Sequence, residues 1–364
     1  MEAIFLSARV RRHPDRHVFL VLVVLMSVAA VACRPQPVVT PVDPEPEPPV
    51  PPPPVLCGLC GAVVPPETAL YRRPLLVLLD NHSAARPQAG IPAACLVFET
   101  LAEGGITRLA PVFAHAAPER IGPVRSARPY FLDLALGLDA FIAHAGQSPE
   151  AAADIENLKV ASLNAFGFDD HYWRESARKA PHNLYTSDER LRAAAVKARL
   201  TLTRDAAAVR WPVDVGAAPA AELPAAPGLR VVWPFSSTGH VTVFRWRAAA
   251  EGEEYGRYER SVNDKPHLDE ESGEILGGRN VAVLFAKMWR IAGDPEGRLD
   301  ANFTGAGRAI VASDGRLIEA KWRKSTRASA LELVDQNGER LELPPGQTWI
   351  LIVPEQTVVE VLAP

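Results

Sequence analysis

The sequence predicts a mixed α/β, α+β fold: an N-terminal α/β layer unit followed by a predominantly antiparallel β part. Three observations carry that expectation. Between about residues 70 and 200, short continuous apolar runs, as in strands buried on both faces, alternate with stretches of helical spacing. Beyond residue 228 the apolar runs are short, alternate with polar residues and are separated by Gly/Asp/Asn turns. The composition, 48% hydrophobic and 23% charged over 364 residues, is globular and large enough for one big or two ordinary domains.

Taken in order, the chain begins with the three parts of an export signal. Arg9, Arg11, Arg12 and Arg16 give a basic start, residues 18–32 are apolar and uncharged, and Ala30, Val31 and Ala32 lead directly to Cys33. Spanning a bilayer takes roughly 20 apolar residues, so this run is too short for a comfortable transmembrane helix. Residues 1–32 are therefore expected to be a lipoprotein-type signal peptide, with Cys33 lipidated and the new N-terminus. Residues 33–56 form a proline-rich tether: between Arg34 and Val55 there are 11 prolines and no aromatic residue. Such a stretch cannot build a core and extends as polyproline II, a reach of about 70 Å at ~3.1 Å per residue.

Residues 57–205 are expected to form the α/β unit. Strands are predicted at 75–79 (ending at Asp80), 95–98 (ending at Glu99), 108–114 and 140–145. Phe131, Leu134, Ala135 and Leu138 fall on one face of a helix over 129–138. Ser148-Pro149-Glu150 reads as N-cap, first position and first turn of a second helix, and 187–200 as a third. An Ala/Pro-rich connector, 206–227, leads into the β part, 228–364. Its predicted strands lie at 229–233, 241–246, 280–285, 309–312, 317–322, 331–334 and 349–353, with turns at Ser313-Asp314-Gly315 and Asp335-Gln336-Asn337-Gly338.

The formal charge of -4 gives no basic excess, which argues against general nucleic-acid binding. Apart from Cys33, the cysteines are Cys57, Cys60 and Cys95. Outside the cytoplasm the CxxC of Cys57 and Cys60 reads first as a local disulfide. A redox pair would want a preceding strand and a following long helix, and Pro65 and Pro66 intervene instead. Half of a zinc site would need Cys95 or a histidine to complete it. Cys95, within Ala93-Ala94-Cys95-Leu96-Val97-Phe98, reads most simply as a core thiol. The expectation is thus no metal and no cofactor.

Between the predicted elements lie unusual polar blocks. They are Asp80-Asn81-His82 with Arg86-Pro87-Gln88, Glu103-Gly104-Gly105-Ile106-Thr107-Arg108, Ile121-Gly122-Pro123-Val124-Arg125-Ser126-Ala127-Arg128-Pro129-Tyr130 and Lys179-Ala180-Pro181-His182-Asn183-Leu184-Tyr185. Gly256-Arg257-Tyr258-Glu259-Arg260, Pro266-His267 with Asp269, and Leu343-Pro344-Pro345-Gly346-Gln347-Thr348-Trp349 follow. On these strings the sequence from about Pro74 to Pro354 resembles the YerB-like family of bacterial lipoproteins, whose biochemical role is unassigned. The resemblance implies a cell-envelope lipoprotein with a mixed α/β fold, and no reaction. The Cys57–Cys60 pair departs from the family pattern.

The residues themselves suggest two kinds of chemistry. Arg86, Arg108, Arg125 and Arg128, at the ends of predicted elements, could frame a pocket for an anionic ligand with His144, His182 and Asn183. The competing reading pairs these arginines with Asp80, Glu99, Glu103 and Asp133 in part-buried salt bridges. An alternative activity is an envelope hydrolase or transferase that uses a histidine with Asp80, Glu99 or Glu103 as acid or base. A serine triad on Ser126 or Ser148 finds no GxSxG elbow. His82, His144, His182 and His267 lack a compact metal-ligand spacing. The function expected is therefore a membrane-anchored, extracytoplasmic binding or scaffold protein. Its partners would be the membrane, through the N-terminal lipid, and an anionic envelope ligand or another envelope protein.

Overall fold

The order of apolar and polar residues along each strand explains how the layers assemble. The computed structural model describes residues 55–65, 72–204, 211, 213–214, 217–235 and 239–363. The signal segment, Cys33 and nearly all of the tether lie outside the described residues.

The N-terminal half supplies β1 (Leu75–Val77), β2 (Leu79–Asp80), β3 (Leu96–Leu101), β4 (Thr107–Phe113), α1 (Pro129–Gly137), β5 (Phe141–His144), α2 (Pro149–Asn157), β6 (Ser162–Asn164) and α3 (Asp188–Lys197). The C-terminal half supplies β7 (Gly228–Trp233), β8 (His240–Arg247), β9 (Arg257–Val262), β10 (Asn280–Arg290), β11 (Gly305–Ser313), β12 (Arg316–Lys324), β13 (Glu332–Val334), β14 (Thr348–Pro354) and β15 (Val358–Val361).

One sheet of 12 strands runs through both halves, in the order β13-β12-β11-β10-β14-β3-β4-β1-β5-β6, with β2 and Leu299–Asn302 paired off this path. The join is β14, which lies parallel to β10 on one side and to β3 on the other, Ile350 opposite Ala282 and Phe98. Every residue of β14 is buried, as expected of a central parallel strand covered on both faces. A second sheet contains β9-β8-β7-β15.

Side-chain alternation sorts the central sheet into two cores. Val97 and Leu101 of β3, Val281 and Val283 of β10, and Leu351 of β14 join Leu229, Trp233, Phe244 and Tyr258 of the second sheet and Leu191 of α3. Leu96, Phe98, Ala282, Leu284 and Ile350 instead meet Phe131, Leu132 and Leu134 of α1, Ala151 of α2, and Leu59 between the short strands Val55–Leu56 and Val63–Val64. Fully burying each such aromatic or branched side chain contributes about 1.5–3 kcal/mol. The helix starts follow their sequence signals. The Ser148 Oγ accepts from the Ala151 N–H at 3.2 Å, the Ser187 Oγ from the Arg190 N–H at 3.1 Å, and Pro129 opens α1.

The predominantly β character is what the structure shows. A distinct N-terminal α/β layer unit is not: its strands belong to the sheet that the C-terminal half completes. The pairing of β3 with β14 couples positions some 250 residues apart, a distance at which local sequence patterning carries no signal. The hairpin at Val55–Leu56 begins inside the expected tether, and Trp211, within the expected connector, is buried.

Candidate functional site

Asp80 closes β2 against the segment 121–128. Its N–H donates to the Pro123 carbonyl at 2.9 Å, and the Arg125 N–H donates to the Leu78 carbonyl at 2.8 Å. The Asp80 carboxylate is then shared. Its Oδ2 takes the Nδ1 of His182 at 2.7 Å and the Nε of Arg125 at 3.2 Å, while Oδ1 accepts the His82 N–H at 2.9 Å. The rings of His82 and His182 stack with centroids 4.7 Å apart and planes at 15°. The His82 Nδ1 is occupied by the Ala84 N–H at 3.1 Å.

Both imidazoles are therefore left with Nε2, and Arg125 with its two Nη groups, without a partner among the described residues. Asp80 has a side-chain exposure of 5% and Arg125 one of 31%, so a buried carboxylate holds half-buried donors. Three sequence blocks, Asp80-Asn81-His82, Val124-Arg125-Ser126 and Pro181-His182-Asn183, meet here.

Behind this face lies a sealed polar layer between the two sheets. Glu99 of β3 points, like Val97 and Leu101, toward the second sheet, and both Glu99 and Arg260 of β9 have side-chain exposures of 0%. The Arg260 Nη2 meets the Glu99 Oε1 at 2.7 Å, Thr107 donates to the same oxygen at 2.8 Å, and His240 lies 3.7 Å away. Burial alone would raise the Glu99 pKa, but Arg260 and His240 overcome it and hold the group at about 2. Arg260 also bonds His267, whose Nε2 pairs with the Gln88 Oε1 at 2.6 Å. Gln88 donates to the Asp80 carbonyl at 2.8 Å, so the layer is hydrogen-bonded to the backbone that carries the face.

Arg86 is half-buried beside this layer, with its Nη1 unpartnered among the described residues. Burial, together with the charge of Arg260, lowers its pKa. Glu99 is thus a solvent-shielded group already bonded to Arg260 and Thr107.

Glu103 is pinned as well. It bonds the Arg128 Nε and lies 3.3 Å from the Arg108 Nη2. Burial opposes its ionisation, but the two arginines lower its pKa. Arg108, itself 6% exposed, has its pKa brought down by burial to about 10. The four predicted arginines do not frame one pocket. Of them, only Arg128 reaches the neighbouring cleft of about 330 Å³, which three arginines and four carboxylates line. Arg327 is held there by Asp133 at 2.6 Å and Asp154 at 2.7 Å, and Arg298 by Asp294 at 2.6 Å, so each is already paired with a carboxylate.

His144 is fully buried, with Nδ1 2.8 Å from the Gly146 carbonyl and Nε2 2.7 Å from the Ser162 Oγ. Burial brings its pKa down to about 4. It is a core histidine with both ring nitrogens bonded within the protein. Asn183 organises its own loop: its Nδ2 donates to the Glu175 carbonyl at 2.7 Å, and its Oδ1 accepts from the Arg174 Nη1 at 2.7 Å. Ser148 is committed to its helix cap. Cys57 and Cys60 are not joined in a disulfide; they are buried free thiols, as is Cys95, and the three converge with His115.

Sequence reasoning missed Arg260, His240 and Gln88 as partners of Glu99 and Asp80. A signal existed for the first. In β9 the alternation Tyr258, Arg260, Val262 places an arginine on the buried face, where it must find a carboxylate.

Two descriptions of protein families match the chain: "Protein of unknown function (DUF3048) N-terminal domain" over residues 59–201 and "Protein of unknown function (DUF3048) C-terminal domain" over 231–350. The chain is 33% identical over 285 residues to "Putative lipoprotein YerB" of Bacillus subtilis (strain 168), a match covering 78% of this chain and 82% of that protein. It superimposes on the crystal structure of the YerB protein from Bacillus subtilis with a TM-score of 0.74 at 29% identity, over 84% of this chain and 99% of that one.

Proposed function

From the premise that the chain belongs to the DUF3048 family, as a relative of YerB, we propose that it is a lipid-tethered envelope protein that binds an anionic group on the Asp80–Arg125–His182 face. The address rests on the export signal ending at Cys33 and the proline-rich stretch after it, together with a relative whose name is that of a lipoprotein. In this reading the lipid holds Cys33 at the membrane and the tether holds the folded part away from it. The whole of that part from β1 to β15 then acts as one body presenting the face.

The observation that carries the binding reading is the sharing of one Asp80 oxygen by Arg125 and His182. The carboxylate fixes both side chains through Nε and Nδ1 and leaves the guanidinium fork and an imidazole nitrogen pointing away from it. A fork so held suits the oxygens of a phosphate or carboxylate, and little side-chain entropy is left to lose on binding.

The test is calorimetric titration of the full chain in detergent with inorganic phosphate and with a glycerol-phosphate oligomer. Arg125→Gln and His182→Gln are titrated in parallel. A hydrogen bond to a charged group is worth about 1.5–3 kcal/mol, so each variant should bind roughly ten- to a hundred-fold more weakly while still folded at the titration temperature, as circular dichroism would check. Equal affinity in wild type and both variants, or no heat with either anion, would sink the proposal.

The Asp80–His182 hydrogen bond also supports a second reading, hydrolysis of an anionic envelope ester. With Nδ1–H held by the carboxylate, Nε2 of a neutral ring is an acceptor that could draw a proton from water. Turnover of a phosphodiester by wild type and not by His182→Gln would establish it; no turnover leaves binding alone.

A further inference from the structure

We propose that Cys57, Cys60, Cys95 and His115 are the four ligands of a structural zinc ion that fastens the N-terminal hairpin to the central sheet. The four come from three separated segments: the loop between the strands Val55–Leu56 and Val63–Val64, the residue preceding β3, and the turn just after β4. Their ligand atoms all lie within 4.8 Å of one another.

The individual separations match a tetrahedral site. With Zn–S of about 2.3 Å and Zn–N of about 2.0–2.1 Å, tetrahedral angles place sulfurs ~3.8 Å apart and sulfur and nitrogen ~3.6 Å apart. The Cys57 and Cys95 sulfurs are 3.7 Å apart, and the His115 Nδ1 is 3.8 Å from the Cys60 sulfur and 3.4 Å from that of Cys95. Thiols packed only as hydrophobes have no reason to gather around one imidazole nitrogen at these distances.

The backbone is shaped to hold the ligands in place. Between Cys57 and Ala62 the chain closes a tight turn, with the Cys57 N–H on the Ala62 carbonyl and the Gly61 N–H on the Cys57 carbonyl, both at 2.8 Å. Gly61 takes a φ of 71°, and a Cβ there would sit 2.8 Å from the side chains of Pro345 and Val213. The Cys95 N–H is fixed on the Val112 carbonyl at 2.8 Å, and the His115 carbonyl accepts from the Arg72 Nη1 at 3.1 Å.

Four protein ligands leave no open position, which is the pattern of a structural ion and not a catalytic one. The hairpin needs such a fastening. Its two strands have two residues each, far too few for a hairpin to persist alone, yet it buries Leu59 against the central sheet.

The full chain, purified in detergent without chelator, should carry one zinc per chain by elemental mass spectrometry. Exchange into Co2+ should give the ligand-field spectrum of a tetrahedral ion with thiolate charge-transfer bands. Cys60→Ala should lose the metal and His115→Cys should keep it. Chelation should lower the melting temperature of wild type and leave that of Cys60→Ala unmoved. The spectrum is read on wild-type protein, so it decides even if Cys60→Ala fails to fold. Metal-free protein that gives no Co2+ spectrum overturns the site. Non-reducing peptide mapping that finds Cys57 and Cys60 joined in the protein isolated from the envelope does the same.

Discussion

Replacing Arg260 with methionine would test whether the sealed layer holds the two sheets together. Arg260 bonds Glu99 at 2.7 Å, and its guanidinium lies 5.1 Å from the centroid of the Trp349 ring. Methionine keeps much of the volume and that packing but removes the cation. Glu99 then keeps Thr107 at 2.8 Å and His240 at 3.7 Å as polar neighbours, with no exposed surface through which to hydrate. Breaking one side of a buried ion pair costs about 3–5 kcal/mol, whereas replacing both partners is often close to neutral.

Urea unfolding of wild type, Arg260→Met, Glu99→Gln and the double variant closes a cycle. The expected result is a large loss in each single variant and a much smaller one in the double, a coupling of at least about 2 kcal/mol. The pH dependence gives an independent check. Glu99 is depressed from 4.5 to about 2, so its contribution is complete above the unfolded value and is lost as pH falls from about 4.5 to about 2. That contribution amounts to about 3 kcal/mol. Arg260→Met should lack most of this acid limb. A single-variant loss below about 1 kcal/mol, with the acid limb intact, would refute the assignment of the layer's stability to this pair.

Two further outcomes follow from the same physics. His144 is depressed from 6.5 to about 4, so wild type should lose stability as pH falls through that window, and His144→Gln should flatten the slope there; identical profiles between pH 7 and 4 would mean that the ring is not buried neutral. Cys33→Ser should move the full chain from the membrane fraction to the aqueous phase of a detergent partition, and retention in the membrane would exclude a lipid on that residue.

Much of the local structure was legible because each element satisfies its own rule. Ser148-Pro149-Glu150 caps α2, the apolar run ending at Asp80 is buried throughout, and the Asp314-Gly315 turn joins β11 to β12. What the sequence could not show is partnership at a distance. Glu99 reads as a polar end to an apolar run, and only the crossing of β9 over β3 makes it half of an ion pair. The CxxC reads as a local pair until β3 and β4 bring Cys95 and His115 beside it. Arg86, Arg108, Arg125 and Arg128 read as one cluster because they are close in sequence, yet Glu103 claims two of them, Asp80 one, and the interior the last.

That division changes what the half-buried Arg125 means. Arg108 is buried, with its Nη2 3.3 Å from Glu103, so its guanidinium is closed off from solvent. Arg125 differs because Asp80 takes only its Nε, at the side of the fork, and divides its own oxygen with His182. One carboxylate oxygen divided between a guanidinium and an imidazole leaves the two Nη groups of Arg125 unclaimed by Asp80. The face is held in that state from behind: Gln88 ties the Asp80 backbone to His267, His267 to Arg260 and Arg260 to Glu99, which sits on β3, beside the strand that joins the two halves. The two family segments meet in a single sheet, and the exposed face draws its rigidity from residues of both. A site assembled in this way belongs to the whole fold and not to its N-terminal part, although every residue that would touch the anion lies in that part.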